Sequence, residues 1–245
     1  MADIHCHALG GVDDGAKNTD EMKTMMDMAY ADGIRHICYT PHFKTYHFKN
    51  EDSIKAYNAK IAKSFAVAQE YASEKYQDLS LYLGNEIMYH SELIDSSDAN
   101  LCKRINNGAY LLVEFQPETP FYDIRNAVSK ILRRGFTPVI AHVERYTELV
   151  KRPELTSELK DFGALFQINA SSLEGFGFGK TAKFIKYLFK KVYVDVVASD
   201  AHDSVKYTPI LSRAAAKITK QYGEAMAKRV LHTVPLSIIQ NKKLF

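Results

Sequence analysis

Apolar and polar positions along the chain follow two periods in turn. In residues 2–8, Ala-Asp-Ile-His-Cys-His-Ala, successive side chains would face opposite ways, as in a strand. Asn18, followed three residues later by Glu21, has the pattern of a helix N-cap with a capping box, and Gly33 stops that helix near Asp32. Ile54, Tyr57, Ile61, Phe65, Ala68 and Tyr71 recur at spacings of three and four, the mark of an amphipathic helix. Strand-like runs return at 34–40, 79–86, 110–115, 137–142, 165–170 and 192–199. Helices are expected at 123–134, ended by Gly135, at 181–190, and through the C-terminal part. Such strand–helix repetition implies a parallel sheet. With no long linker, low-complexity segment or internal repeat, residues 1–245 read as one domain.

The polar residues refine this picture. His5, His7, His42, Glu86, Glu114, His142, Asp200 and His202 stand at or just beyond the C-terminal ends of the runs, and Asp14 follows the first. In a barrel those ends converge on one face, whereas an open sheet would spread them along a line. The expected fold is therefore α/β, a distorted TIM-like barrel of seven strand–helix units. Alternation puts His5 and His7 on one face with Cys6 turned away, and Asp200 and His202 on one face with Ala201 turned away. Imidazole and carboxylate are ligands for divalent metals. Taken singly, each histidine is more often a hydrogen-bonded core residue. That reading fails when nearly every strand carries the same class of residue at the same end. The set is too large for one ion and suits two or three.

Composition narrows the class. An apolar fraction of 46% in 245 residues supports a full core. A formal charge of +3 without a long basic run argues against nucleic acid as the main partner. The three cysteines, with no paired spacing, point to a reducing compartment. Met-Ala-Asp-Ile-His is not a signal peptide, and no apolar run approaches the ~20 residues of a membrane span, so a cytoplasmic protein without membrane insertion is expected. Cys6, Cys38 and Cys102 lack the Cys-x5-Arg loop of thiol phosphatases and read as small buried residues. The stretch 175–181 ends like a phosphate-binding Gly-Lys-Thr loop but has Glu174 where the pattern needs glycine. Met22, Met25, Met26 and Met28 read as core, and His36, His90 and His232 fit no ligand position.

The motifs His5-x-His7, Val12-Asp13-Asp14-Gly15, Thr40-Pro41-His42, Glu86, Glu114-Phe115, Ile140-Ala141-His142-Val143-Glu144-Arg145-Tyr146 and Ala198-Ser199-Asp200-Ala201-His202 together resemble the polymerase-and-histidinol-phosphatase superfamily. Within it, Val-Asp-Asp-Gly and His-x-Glu-Arg-Tyr are similar to the bacterial tyrosine-protein phosphatases of capsular and exopolysaccharide gene clusters. The resemblance runs from residue 3 to at least 233. It implies a site of three divalent ions, usually Mn2+, with Fe or Zn as alternatives. His5, His7, Glu86 and Asp200 would hold one ion. Glu86 would bridge to a second completed by Glu114 and His142, and Asp14, His42 and His202 would hold the third. The family commonly has an arginine a few residues beyond the last histidine as a phosphate clamp. This chain reads Asp203-Ser204-Val205-Lys206-Tyr207, so Lys206 would substitute as a point charge, and Arg145 is the better-supported phosphate ligand.

The implied activity is hydrolysis of phosphotyrosine on the tyrosine-rich tail of a bacterial autokinase, by in-line attack of a metal-bridging hydroxide on phosphorus. A phenolate with pKa ~10 leaves without full protonation, and no general acid is identified. The segment Phe43-Lys44-Thr45-Tyr46-His47-Phe48, with Phe121 and Tyr122, is expected to rim the pocket against the substrate ring. A histidinol-phosphatase-like small-molecule esterase and a non-catalytic regulatory module are the alternatives.

Overall fold

The structure, a computed structural model, describes residues 1–90, 102–174 and 179–244. Its strands are β1 (Ala2–Cys6), β2 (His36–Tyr39), β3 (His42–Phe43), β4 (Ser80–Leu83), β5 (Glu86–Met88), β6 (Tyr110–Glu114), β7 (Thr137–Ile140), β8 (Leu165–Asn169) and β9 (Val196–Ala198). Every pairing is parallel, in the orders β1-β2-β4 and β3-β5-β6-β7-β8-β9. Among the described residues the helices are α1 (Thr19–Ala31), α2 (Glu51–Lys75), α3 (Phe121–Arg133), α4 (Thr147–Lys151), α5 (Thr156–Phe162), α6 (Ala170–Glu174), α7 (Lys180–Lys190), α8 (Ser212–Tyr222), α9 (Glu224–Lys228) and α10 (Val234–Ile239).

The two sheets are halves of one surface. The chain leaves the first and enters the second at Thr40-Pro41 and again at Gly84-Asn85, so the run expected at 79–86 is two short strands. Pro41 has no N–H to give a ladder. Asn85 fills the gap: its amide donates to the Pro41 carbonyl at 2.8 Å and accepts from the Lys103 N–H at 2.7 Å. A Cβ on Gly84 would stand 3.3 Å from the Ile105 Cα, which explains the glycine at this crossing. β9 and β1 meet only near their C-terminal ends, through a bridge between Cys6 and Ala201. The Asp200 N–H donates to the His5 carbonyl at 2.9 Å, and the His7 N–H donates to the Ala201 carbonyl at 2.8 Å. The fold is thus mixed α/β with a curled, half-barrel parallel sheet.

Alternation along the strands builds a core on each side of the sheet. Ile37, Val113, Ile140, Phe166 and Val197 pack in the larger cluster, which includes buried residues of α1, α2, α3 and α7. Ile4, Leu112, Val139, Leu165, Val196 and Ala198 form a second cluster, joined by Ile238 and Ile239 of α10. Along β6, β8 and β9 the faces that carry Leu112, Leu165 and Ala198 carry Glu114, Gln167 and Asp200 further on. The C-terminal ends of those apolar faces are therefore polar.

Local expectations differ in a few places. Asn18 does cap α1, accepting from the Glu21 N–H at 3.0 Å, but the Glu21 carboxylate takes the Lys17 N–H at 2.9 Å, one residue short of a capping box. A reciprocal box does start α2, between Asn50 and Ser53. Met22, Met25 and Met26 are buried as expected. The strand read from 192 begins only at 196, because Val192 has φ of 59° and turns the chain after α7. Most of the glycine-rich stretch, 175–178, lies outside the described residues.

Candidate metal centre

Three histidines have one ring nitrogen fixed by a hydrogen bond that points away from the cluster. His5 Nδ1 lies 3.0 Å from Gln167 Oε1. That oxygen only accepts, so the proton sits on Nδ1 and the Nε2 lone pair faces inward. His7 Nδ1 is held at 2.8 Å by Asp13, and His202 Nδ1 at 2.9 Å by the Asp200 carbonyl. Such outer partners set tautomer and ring orientation for metal binding.

The inward atoms converge. His5 Nε2 is 3.2 Å from His7 Nε2, 3.3 Å from Glu86 Oε1 and 3.2 Å from Asp200 Oδ1; His7 Nε2 is 3.2 Å from Glu86 Oε2. Two ligand atoms ~2.1 Å from one ion at angles of 90–110° stand roughly 3.0–3.4 Å apart. These four side chains match that spacing, and facing imidazole lone pairs repel unless a cation or proton lies between them. The donor set fits a divalent ion.

The described residues contain two further groupings. One is His7, Asp14, His42 and His202; the other is His42, Glu86 and Glu114. Eight of the nine expected ligand residues fall in these groupings and His142 joins them through Glu86, but their division differs from the expected one. His42 Nδ1 lies 2.9 Å from Glu86 and 3.1 Å from Glu114, while His142 Nε2 is 2.8 Å from Glu86 and 3.8 Å from Glu114. The buried Glu114 Oε1 and His42 Nδ1 lack hydrogen-bond partners despite that proximity, as expected of atoms that share a cation. His142 (φ 33°) and Asp200 (φ 51°) hold left-handed backbone conformations, a local strain typical of functional sites.

The metal-free electrostatics have one pattern. Burial disfavours a charged His42, but the Glu114 and Glu86 carboxylates outweigh it and raise its pKa to about 9. His5 and His7 are raised the same way, against burial, by Glu86 with Asp200 and by Asp13 respectively. Burial would raise the Asp13 carboxyl, yet His7 and the His42 N–H hold it at about 2. The buried carboxylates thus hold protons on the ring nitrogens where cations would sit.

Sequence reading missed the residues that orient the ligands. Gln167 Oε1 accepts both the His5 ring N–H and the His142 backbone N–H, the latter at 2.8 Å. Its amide donates to Asn169, which donates to Asp200 Oδ2 at 2.6 Å. Asp13 takes the His42 N–H at 2.9 Å as well as the His7 ring. The available signal was the i, i+2 pair of amides on one face of an otherwise apolar β8.

Arg145 donates to Asp200 Oδ2 at 2.9 Å, so it touches a candidate ligand while its side chain stays half-exposed in the cavity wall. Lys206 lines the same wall, with its ammonium 4.8 Å from the Tyr207 ring centre. The aromatic rim is smaller than expected. Phe43 is fully buried and packs on Phe48, which packs on Tyr57, while Tyr46 and Tyr122 are exposed. Phe43 follows His42 in β3 and therefore faces the other way. All three cysteines are buried, and burial pushes the Cys102 thiol up to about 11.

Residues 1–240 match the family described as capsular polysaccharide synthesis, CpsB/CapC. The chain is 34% identical to the tyrosine-protein phosphatase CpsB of Streptococcus pneumoniae over 99% of both proteins. It is 30% identical to the tyrosine-protein phosphatase YwqE of Bacillus subtilis, covering 100% of this chain and 94% of that protein. A crystal structure from work on YwqE and CpsB, described there as unique metal-dependent tyrosine phosphatases, superposes with a TM-score of 0.84 at 27% identity over 100% of this chain and 96% of that one. The converging lone pairs are thus found on a fold shared with metal-dependent phosphatases, and the chain belongs to the CpsB/CapC family.

Proposed function

We propose that this protein is a metal-dependent protein-tyrosine phosphatase whose substrate is the tyrosine-rich tail of a bacterial autokinase that controls capsule or exopolysaccharide synthesis. The observation that carries the reading is the set of inward lone pairs of His5 and His7 facing Glu86 and Asp200 at the spacing of shared ligands. Its relatives' activity and metal dependence support it. We assign three divalent ions, Mn2+ first. One would be held by His5, His7, Glu86 and Asp200, one by Glu86, Glu114 and His142, and one by Asp14, His42 and His202. The proximity of His42 to Glu86 and Glu114 makes it a further contributor to the second.

Bound ions would supply an ionised water as nucleophile near neutral pH and charge to stabilise the phosphoryl oxygens. The chain's own groups do the rest. Arg145, anchored on Asp200, keeps guanidinium N–H groups available for a phosphoryl oxygen, and Lys206 adds a second positive charge to the same wall. Gln167 and Asp13 hold His5 and His7 in the tautomers the cluster needs, and Asn169 holds the Asp200 carboxylate. The leaving phenolate, with pKa ~10, needs no dedicated acid.

We also read residues 1–245 as one domain and the curled sheet as a distorted TIM-like barrel of seven strand paths, supported by the bridge between β1 and β9. We infer a cytoplasmic location from the three buried cysteines without paired spacing; no helix of the described residues is long and apolar enough to cross a membrane. The test is hydrolysis of matched phosphotyrosine and phosphoserine peptides and of histidinol phosphate, side by side with manganese. Faster turnover of phosphotyrosine is expected. Equal peptide rates, or much faster turnover of histidinol phosphate, would replace the reading with a small-molecule esterase.

A further inference from the structure

Three cavities border the cluster; one is lined by Asp14 and His42, and the other two share Asp14, Arg145, Asp200 and His202 in their walls. The one above Glu86 and Glu114 has about 350 Å³, and the one beside the loop 202–207 has about 620 Å³. A phosphoryl group at the cluster has the 620 Å³ cavity directly beside it as room for the chain that carries it. The outer wall of that cavity includes Lys17, Glu21, Asp203, Val205, Lys206 and Tyr207.

The acids and the cations of this wall are engaged differently. Glu21 accepts the Lys17 backbone N–H, and one oxygen of Asp203 accepts the N–H groups of Val205, Lys206 and Tyr207. One oxygen of each carboxylate is thus occupied by backbone N–H groups. The Lys17 ammonium forms no ion pair among the described residues, and Lys206 lies over the Tyr207 ring. The loop itself is built: besides the Asp203 contacts, the His202 and Asp203 N–H groups both donate to the Tyr207 carbonyl. It holds Val205, 87% exposed, at the rim. The wall thus offers the Lys17 ammonium, which makes no ion pair among the described residues, next to a fixed apolar edge.

We propose that this cavity recognises an acidic side chain two residues from the phosphotyrosine, with Lys17 as the cation that reads it. The inference rests on the phosphatase reading above and adds a sequence preference to it. An extended peptide turns side chains i and i±2 to the same face, roughly 7 Å apart. A Glu two positions away then enters on the same side as the phosphotyrosine, and the larger cavity is where that side leads.

The experiment uses the manganese-loaded full chain and fluorescent peptides carrying a non-hydrolysable phosphotyrosine phosphonate, with Glu or Ala two positions before or after it. Anisotropy reads affinity without turnover. In the wild type, one of the Glu positions should tighten binding about three- to fivefold over Ala, the size of one partly exposed ion pair, and the gain should shrink with added salt. Lys17→Glu should abolish that gain or reverse it in favour of a Lys-bearing peptide, while turnover of free phosphotyrosine stays at the wild-type rate. Equal affinity for Glu and Ala peptides at both positions, or a Glu preference that survives Lys17→Glu, overturns the inference. Failure to hydrolyse any phosphotyrosine substrate with metals bound would instead overturn the phosphatase reading.

Discussion

Gln167 is the residue whose replacement tests how this site is assembled. It is fully buried, and one oxygen serves two donors on two candidate ligand residues: the ring of His5 and the backbone of His142. Gln167→Met keeps the length and approximate volume of the side chain but removes that acceptor. Each buried donor left without a partner costs about 1–3 kcal/mol, so the metal-free protein should lose about 2–6 kcal/mol, a large share of a typical ~5–15 kcal/mol stability. The part that falls on metal binding is smaller. Without Gln167 the His5 proton is free to move to Nε2, which removes the inward lone pair, and loss of such an outer partner typically weakens metal affinity ~10–100-fold. Competition against a chromophoric chelator would measure this, with thermal melts of the metal-free and loaded forms in parallel. Gln167→Glu is the control, because a carboxylate still accepts both N–H groups and loses only the donor to Asn169. A folded Gln167→Met that binds metal within about threefold of wild type would refute the claim that this amide sets the His5 tautomer.

Arg145→Ala should lower turnover of phosphotyrosine peptide by tens to thousands of fold, the range for a lost charge-stabilising donor. Metal content should change little, because Asn169 still holds Asp200 Oδ2, and parallel rate and metal assays check both. Metal uptake should grow stronger up to about pH 9 rather than level off near 6.5, because a bound ion must displace the proton held on His42; titration of affinity against pH reads this. For the same reason the metal-free protein draws stability from protonated His42 that is fully present below about pH 6.5 and lost as pH rises through about 9, visible as a falling Tm. A chelator should abolish activity, whereas thiol alkylation under native conditions should leave most of it, since Cys6, Cys38 and Cys102 are all buried; strong inactivation with metals still bound would contradict a thiol-independent mechanism.

That the candidate ligand residues would converge was legible because all but Asp14 sit where a period-two apolar run ends. His5-x-His7 and Asp200-x-His202 also declared their shared faces by alternation. The same rule, applied to His42-Phe43, would have sent Phe43 to the core rather than the rim. How His42 and His142 divide Glu86 and Glu114 was not legible, because it depends on ring positions set by four separate strands. Nor was the Arg145–Asp200 contact, which joins residues 55 apart in sequence. Gln167 and Asn169 were hidden by their ordinariness, since amides in a strand carry no mark of what they will hold. The break at Pro41 was visible as a proline, but its repair by Asn85 was not.

The seam between β1 and β9 bears on the order of events during synthesis. His5 and His7 emerge from the ribosome long before Asp200 and His202, yet they belong to the same groupings. Until residue 202 is available, two of the three groupings lack a member, and only His42, Glu86 and Glu114 can gather. A nascent chain made at ~5–20 residues per second therefore spends most of its synthesis unable to form the grouping around His5. On the proposed ligand assignment, ion capture at that grouping would join two segments far apart in sequence in one event and could follow only once both had been made.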